Sequence, residues 1–401
     1  MKKKQEKKII FLLTVLMFLV EDKAISSVPE SLIDIYKRGT IQIVPDRAFS
    51  EGFDWQSLFI ENNDSIAVGQ NGDVFLTNRR NHCIYRFSPD GSLLNSFGRH
   101  GQGPGDLIAP SIKSILDNQY LTVDEYAESR SISLFDFSGK IKAKLRTQAN
   151  CFSAVGLMNG VVAYYSTAIE GKETVGNIQN NVKLHFIDTI AGKETNIAFG
   201  RLNSAYIRFL GSGVLTPSPS YLGDVILNRM SDGNLLAGRS DSPELHVFSP
   251  EGRLIKTFEL NIDPIPVSKQ FIEKKKELTI NNLQNQLRDK ELLKQARRVI
   301  AESDFSVCFA EYLPYYKTIV VDSEGNILVF KWLNDEDNSK ETFQVYSSAG
   351  KYLCEAVLDK GDYEIEMSAY CQTLQFTSSA LYAIVSEADD EAPVQLMKIL
   401  Y

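Results

Sequence analysis

The chain has 401 residues, 43% of them hydrophobic and 23% charged, a globular balance that excludes a mostly disordered protein. Its formal charge is −8, and removing residues 1–26 takes away six Lys and three acidic groups, leaving −11. So acidic a chain is a poor partner for nucleic acid, because phosphate neutralisation needs a surplus of Lys and Arg.

The first residues read as a targeting segment. Lys2, Lys3, Lys4, Lys7 and Lys8 form a basic start, and Ile9 to Val20 is an apolar run of twelve residues, short for a membrane span. Ala24-Ile25-Ser26 offers a small-x-small cleavage site. Residues 1–26 are therefore expected to be a signal peptide and residues 27–401 the mature domain. Export to the periplasm or outside the cell follows, with no stable membrane span after cleavage. The charged Glu21-Asp22-Lys23 keeps an uncleaved N-terminal anchor as the rival. Five cysteines, Cys83, Cys151, Cys308, Cys354 and Cys371, have neither CxxC nor zinc spacing and read as small buried hydrophobes.

Residues 28–60 hold two strand-like pieces, Thr40–Val44 and Trp55–Ile60. From Ser65 onward a unit repeats. Its first copy reads Asn71-Gly72-Asp73, Val74–Thr77, Ile84–Phe87, Pro89-Asp90-Gly91 and Leu93–Phe97, followed by the loop Gly98-Arg99-His100-Gly101-Gln102-Gly103-Pro104-Gly105. Short β-rich runs between Gly and Pro turns spell an antiparallel meander. The second copy uses Ile112–Leu116, Tyr120–Asp124, Ser131–Phe135 and Lys140–Leu145. The third uses Val161–Tyr165 and Lys183–Ile187 with a long loop between them. The fourth uses Leu235–Gly238, Leu245–Phe248 and Leu254–Phe258, and the fifth Ile327–Lys331, Thr342–Tyr346 and Tyr352–Val357. The last stops after three strands, Leu374–Phe376, Leu381–Val385 and Val394–Leu400. An aromatic residue, Phe87, Phe135, Phe248 or Tyr346, stands four residues before a turn glycine in four copies. Glycine supplies the positive φ of the hairpin, and the aromatic is placed to pack between neighbouring units.

The Asn81-His82-Cys83 step and the glycine-rich loop resemble the NHL-repeat propellers. The whole unit looks more closely like the six-bladed β-propellers common in Bacteroidetes, in which a GxGPG loop follows the outer strand of a blade. The resemblance spans roughly residues 40–401. It implies an all-β, six-bladed β-propeller of four-stranded antiparallel blades, and an exported protein that binds without catalysing. Ring closure needs an outer strand for the last copy, and Trp55–Ile60 is the expected donor. One stretch breaks the β pattern. Residues 268–303 are charged and helical, with Ile280, Leu283, Leu287, Leu293, Ala296 and Ile300 near a helical period and Ser268 as N-cap. This helical insertion lies between copies four and five, as rim packing or as a lid.

In a four-stranded meander, the loop between strands two and three shares a face with the link to the next blade. That face would gather Arg79, Arg80, Arg99, Asp124, Arg130, Arg239 and Trp332, the candidate ligand-binding residues. Each has a plainer reading. Arg79 and Arg80 can pair with Asp124 or Glu125 of the next blade, Arg99 can brace the glycine-rich loop, and Trp332 can be packing. The glycine-rich loop precedes a strand rather than a helix, so it lacks the helix N-terminus of a phosphate site. His82, His100, His185 and His246 fall at unlike places in their copies, and no GxSxG, HExxH or Walker sequence occurs, so no catalytic residue, metal or cofactor is expected. The expected partner is a glycan, a peptide or an envelope protein. A metal-dependent propeller lyase or lactonase and a structural scaffold of an envelope complex are the alternatives.

Overall fold

A computed structural model describes residues 30–401 apart from 52–53, 126–130, 150, 170–175, 210–212, 216–220, 287–289, 303–304, 333–338, 368–371 and 388–393. The signal-peptide expectation, Arg130 and Cys371 lie outside the described residues. Six antiparallel sheets follow one another along the chain, each built as a meander, and together they form a six-bladed β-propeller. Blade one spans Ile66–Phe97, blade two Pro110–Arg146, blade three Phe152–Leu215, blade four Val225–Glu259, blade five Tyr316–Asp359 and blade six Tyr363–Leu400.

The recurring aromatic and glycine form one inter-blade joint. Phe87, Phe135, Phe248 and Tyr346 are buried, and each sits where the pairing to the outer strand slips by a residue. The extra residue sharpens the local bend and aims the ring sideways. Each ring then meets an aromatic that precedes its own blade. Phe135 packs on Phe97 at 5.5 Å, Phe248 on Phe199 at 6.0 Å, Tyr346 on Phe258 at 6.3 Å and Phe87 on Trp55 at 5.9 Å. The glycines belong to the same joint. Gly139 has φ +87° and faces the ring of Phe97, and Gly350 has φ +84° and faces Phe258. Only glycine meets both demands, the left-handed turn and the close approach.

Ring closure uses a different segment from the expected one. Trp55–Leu58 is a short helix, so Trp55–Ile60 does not donate the strand. Trp55 and Leu58 are buried while Gln56 and Ser57 are exposed, a spacing of three that a strand cannot provide. The chain closes the ring earlier. Thr40–Gln42 pairs in parallel with the outer strand of blade five. Val44–Asp46 then lies antiparallel to Gln395–Leu400, with Leu400 N donating to Val44 O at 3.0 Å and Asp46 N to Lys398 O at 2.7 Å. It supplies the fourth strand of blade six. The helix Leu32–Lys37 anchors this clasp, capped by Ser31. Tyr36 reaches between blades five and six, its ring 5.7 Å from Phe343 and 5.9 Å from Phe376, and its hydroxyl donates to Asp322 at 3.0 Å.

Blade three departs from the expected pattern in length. Its long loop is strand: Val161–Ile169, Gly176–Asp188 and Lys193–Phe209 pair over most of their length, and Gly213–Leu215 adds a fifth strand. The charged segment folds as two helices, Lys269–Gln286 and Lys290–Glu302, with Ser268 Oγ accepting from Phe271 N at 3.1 Å. They spring from a two-rung stem, Val267 N to Glu311 O at 2.9 Å and Leu313 N to Ile265 O at 2.8 Å. Ile280, Leu293 and Ile300 face a cluster containing Tyr221, Phe271, Phe309 and Trp332. The side chains of Leu283, Leu287 and Ala296 lie outside the described residues.

Candidate functional site

The inner strands of the blades run from the connector face to the hairpin that joins strand one to strand two. At that hairpin face the central channel widens to a funnel of about 900 Å³. Such a volume lies within the range of ligand pockets. The lining comes from inner-strand ends and hairpin tips: Gln70 and Asn71 of blade one, Lys113 and Asn118 of blade two, Asn228 and Ser231 of blade four, Ser323 of blade five, and Gln375 with Ser378 and Ser379 of blade six. Amides and hydroxyls dominate, and Tyr382 is the aromatic residue among them.

Charge in the funnel is largely committed to the fold. The Arg229 guanidinium on blade four donates to Ile115 O on blade two, a span across blade three, which contributes no described lining residue. Burial lowers the Arg229 pKa, opposed by nearby Asp117. Lys398 pairs with Asp46 at 3.3 Å. Asp322 is the acid of the lining, and its carboxylate accepts from Glu324 N, Asn326 N and Asn326 Nδ2 at 2.8–2.9 Å and from Tyr36. Its pKa is raised, chiefly by burial.

Toward the opposite face the channel narrows. The inner strand of blade six is split into Tyr363–Glu364 and Leu374–Phe376, both paired with Ala380–Glu387. From the segment between them Met367, Gln372 and Thr373 close around a void of about 20 Å³ with Lys113 and Asn228. Beyond it lies a cluster of buried charges. Asp64 accepts from Glu61 N and Arg79 N, both at 2.8 Å, and burial still pushes its carboxyl up to about 7. Asp124 accepts from Ala154 N at 2.9 Å and is pushed up to about 6 by burial. The Arg79 charge counters that rise in Asp64, Asp124 and Glu366.

The structure places the sequence-derived candidates other than Arg130, which lies outside the described residues, on the connector face, away from the funnel mouth. Arg79 and Asp124 come together in the buried cluster just described. The Arg80 guanidinium lies 4.8 Å from the Phe59 ring. Arg99 is exposed and paired with Asp106 at 2.8 Å; Asp106 also accepts from Gly103 N at 2.8 Å, so the pair ties the glycine-rich loop. His82 accepts from Ala109 N at 3.1 Å and packs on the tilted ring of His100 at 4.5 Å, holding the same loop against its blade. Arg239 pairs with Asp241 at 3.2 Å and presses on Gly200, where a Cβ would lie 2.1 Å from the guanidinium. Trp332 packs 5.5 Å from Tyr221 under the helices, with the Lys317 ammonium 5.5 Å from its ring. Sequence reasoning missed the funnel residues because they flank the Asn-Gly-Asp, Asp-Gly-Asn and Glu-Gly-Asn turns, whose signal is structural. That flanking position was the available clue.

No three His, Cys, Asp or Glu side chains converge among the described residues. The funnel's amides, hydroxyls and cations, with Asp322 already saturated, are a poor donor set for a divalent ion. Four described cysteines, Cys83, Cys151, Cys308 and Cys354, are free thiols. No described helix is long and apolar enough to cross a membrane.

No protein-family model matches this sequence, and no curated protein matches it. Solved structures do. A protein described as exported from Bacteroides fragilis is 13% identical, with 79% of each chain covered and a TM-score of 0.43. A member of the DUF4221 family from Bacteroides vulgatus is 11% identical over 86% of this chain and 93% of that one, with a TM-score of 0.46. Virginiamycin B lyase from Staphylococcus aureus, in a catalytically inactive form with quinupristin, is 11% identical over 85% and 81%, with a TM-score of 0.40. The fold assignment rests on the six sheets of this chain themselves.

Proposed function

We propose that this protein is an exported propeller whose funnel on the hairpin face holds a hydroxyl-rich ligand, an oligosaccharide, without transforming it. The observation that carries the reading is the roughly 900 Å³ cavity lined by amide and hydroxyl side chains from five blades. Amides both donate and accept, so a ring of them suits alternating hydroxyl groups. A peptide would ask for apolar side pockets, whereas the apolar lining residues Ala67, Val68, Pro89, Ile115, Met230 and Val321 are outnumbered by the amides and hydroxyls.

A glycan array followed by calorimetry on the strongest hit tests the reading. Gln70→Ala and Ser378→Trp alter exposed positions at the mouth. Each should weaken binding at least tenfold while leaving the melting temperature unchanged. An array without hits, or hits that bind both variants like the parent protein, would remove the proposal.

A further inference from the structure

Blade three carries a second arrangement, remote from the funnel lining. Its three long strands bring Ser166, His185 and Glu194 onto one face of the sheet. The register sets this. Tyr164 is opposite His185, Ser166 opposite Lys183, and Ile187 opposite Glu194, so the three side chains occupy successive diagonal positions on adjacent strands. Ser166 Oγ lies 2.8 Å from His185 Nε2, and His185 Nδ1 lies 2.8 Å from Glu194 Oε1. Tyr164 stacks flat on the imidazole at 4.4 Å and donates its hydroxyl to the same Glu194 oxygen at 2.6 Å.

The hydrogen-bond arithmetic assigns the protons. Glu194 accepts from Tyr164, so as a carboxylate it has no proton to give and His185 Nδ1 must donate. His185 Nε2 then carries a lone pair, and the Ser166 hydroxyl donates to it. His185 is 3% exposed, and burial lowers its pKa against the pull of Glu194, with the Lys183 charge adding to the lowering. A neutral base, correctly oriented and bonded to a hydroxyl, is the requirement for an activated serine nucleophile. Ser166 is 6% exposed, but Lys183 on the same rung is solvent-exposed, so the constellation lies at the edge of the buried face.

We infer that Ser166, His185 and Glu194 form an acyl-transfer site for small carboxylic esters, independent of the funnel. Ser166 Oγ bonds to the acyl carbonyl carbon while its proton passes to His185 Nε2. The ester C–O bond breaks, and the departing alkoxide takes that proton. Water, deprotonated by His185, then attacks the acyl-serine and releases the acid, returning the proton to Ser166. Glu194 is a positioning residue that acts through His185.

The test treats the folded protein with an alkyl fluorophosphonate, in which the serine oxygen bonds to phosphorus and fluoride leaves. Intact-mass and peptide analysis should find one adduct per chain, on Ser166, and none after unfolding in urea. Ser166→Ala should abolish the adduct, and His185→Gln should slow it at least a hundredfold. Glu194→Gln should slow it strongly, since an amide can donate to Nδ1 and turn the wrong tautomer toward Ser166. Glu194→Asp, which keeps the carboxylate, should recover part of the rate. p-Nitrophenyl acetate hydrolysis should follow the same order. The parent protein alone decides the question if variants misfold: a folded chain that stays unmodified, or is modified at another residue, overturns the assignment.

Discussion

The joint between blades makes a sharp prediction at Gly139. Replacing it with Ala forces a side chain into the left-handed region at φ +87°, which costs about 1 kcal/mol. The new methyl would also sit 2.4 Å from Cγ, 2.6 Å from Cβ and 2.7 Å from Cδ1 of Phe97. Cγ and Cδ1 can swing aside, but Cβ is fixed by the backbone, so rotation of Phe97 cannot clear the whole clash. The outer strand of blade one must shift instead, at roughly a further 1–3 kcal/mol for overpacking. The sum is about 2–4 kcal/mol. Gly192 is the internal control: it occupies the corresponding hairpin of blade three at φ +66°, and a methyl added there would meet nothing within 4 Å. Gly192→Ala should therefore show the backbone cost alone, about 1 kcal/mol. Urea unfolding followed by tryptophan fluorescence reads the difference. Phe97→Ala made together with Gly139→Ala should be less destabilising than the two separate losses added, because the clash partner is gone. Equal effects of Gly139→Ala and Gly192→Ala would show that the glycine serves the turn and not the joint.

Three further outcomes follow from other contacts. A chain beginning at Arg47 lacks Leu32, Ile35, Tyr36 and Ile41, all buried; at about 1.5–3 kcal/mol each their loss rivals the whole stability of a domain, and gel filtration should show aggregate rather than monomer. Asp64 has its carboxyl raised from 3.8 to about 7, so the folded state binds a proton that the unfolded state has released over that window. Its contribution is present below about pH 4 and is lost as pH climbs to about 7, by roughly 4 kcal/mol at most, and Asp64→Asn should flatten that part of the stability profile in urea titrations at pH 5 and pH 8. Trp332 Nε1 is buried and has no hydrogen-bond partner among the described residues; Trp332→Phe should leave the melting temperature within a degree or two, whereas Trp332→Ala should cost about 2–3 kcal/mol and speed proteolysis within the helices Lys269–Gln286 and Lys290–Glu302.

Much of the fold was legible because the repeat carries its own physics. The aromatic four residues before the turn glycine marks the bulge, the turn and the neighbour contact at once, and it does so in four of the six blades. The inner strands Val225–Arg229 and Tyr316–Val321 left no such mark, since both faces of an inner strand are covered and alternation disappears. The arm Gly176–Asn181 of blade three was hidden for the opposite reason: Gly-Asn-Ile-Gln-Asn-Asn pairs through its backbone with little apolar pattern to read. Trp55–Ile60 misled because a four-residue helix with Trp55 and Leu58 inward has the same composition as a strand. Only the contact with Phe87 and the pairing of Val44–Asp46 decide between them. The triad-like set in blade three was invisible, because Ser166, His185 and Glu194 meet only through a register that long strands establish.

The two faces of the ring divide their work for a physical reason. On the connector face, chain segments cross from blade to blade, and buried backbone groups there must find partners. Asp64, Asp124 and Arg79 answer that demand, as do Arg99 with Asp106 and His82 with Ala109. Side chains so bound are costly to divert to a ligand. The hairpins of the other face close on themselves: Gly72 N bonds Gly69 O at 2.9 Å, Gly233 N bonds Met230 O at 2.9 Å and Gly325 N bonds Asp322 O at 3.0 Å. Their contacts with neighbouring blades run through backbone and glycine, as in Ser323 N to Phe376 O at 3.2 Å, so the side chains of Asn71, Ser231 and Ser323 can be exchanged with small effect on stability. Deeper in the funnel the lining does hold the ring, through Gln375 accepting from Val68 N at 3.0 Å, Asn228 donating to Ile319 O at 2.9 Å and Arg229 donating to Ile115 O, so the positions on which specificity can change without refolding are the hairpin tips at the rim.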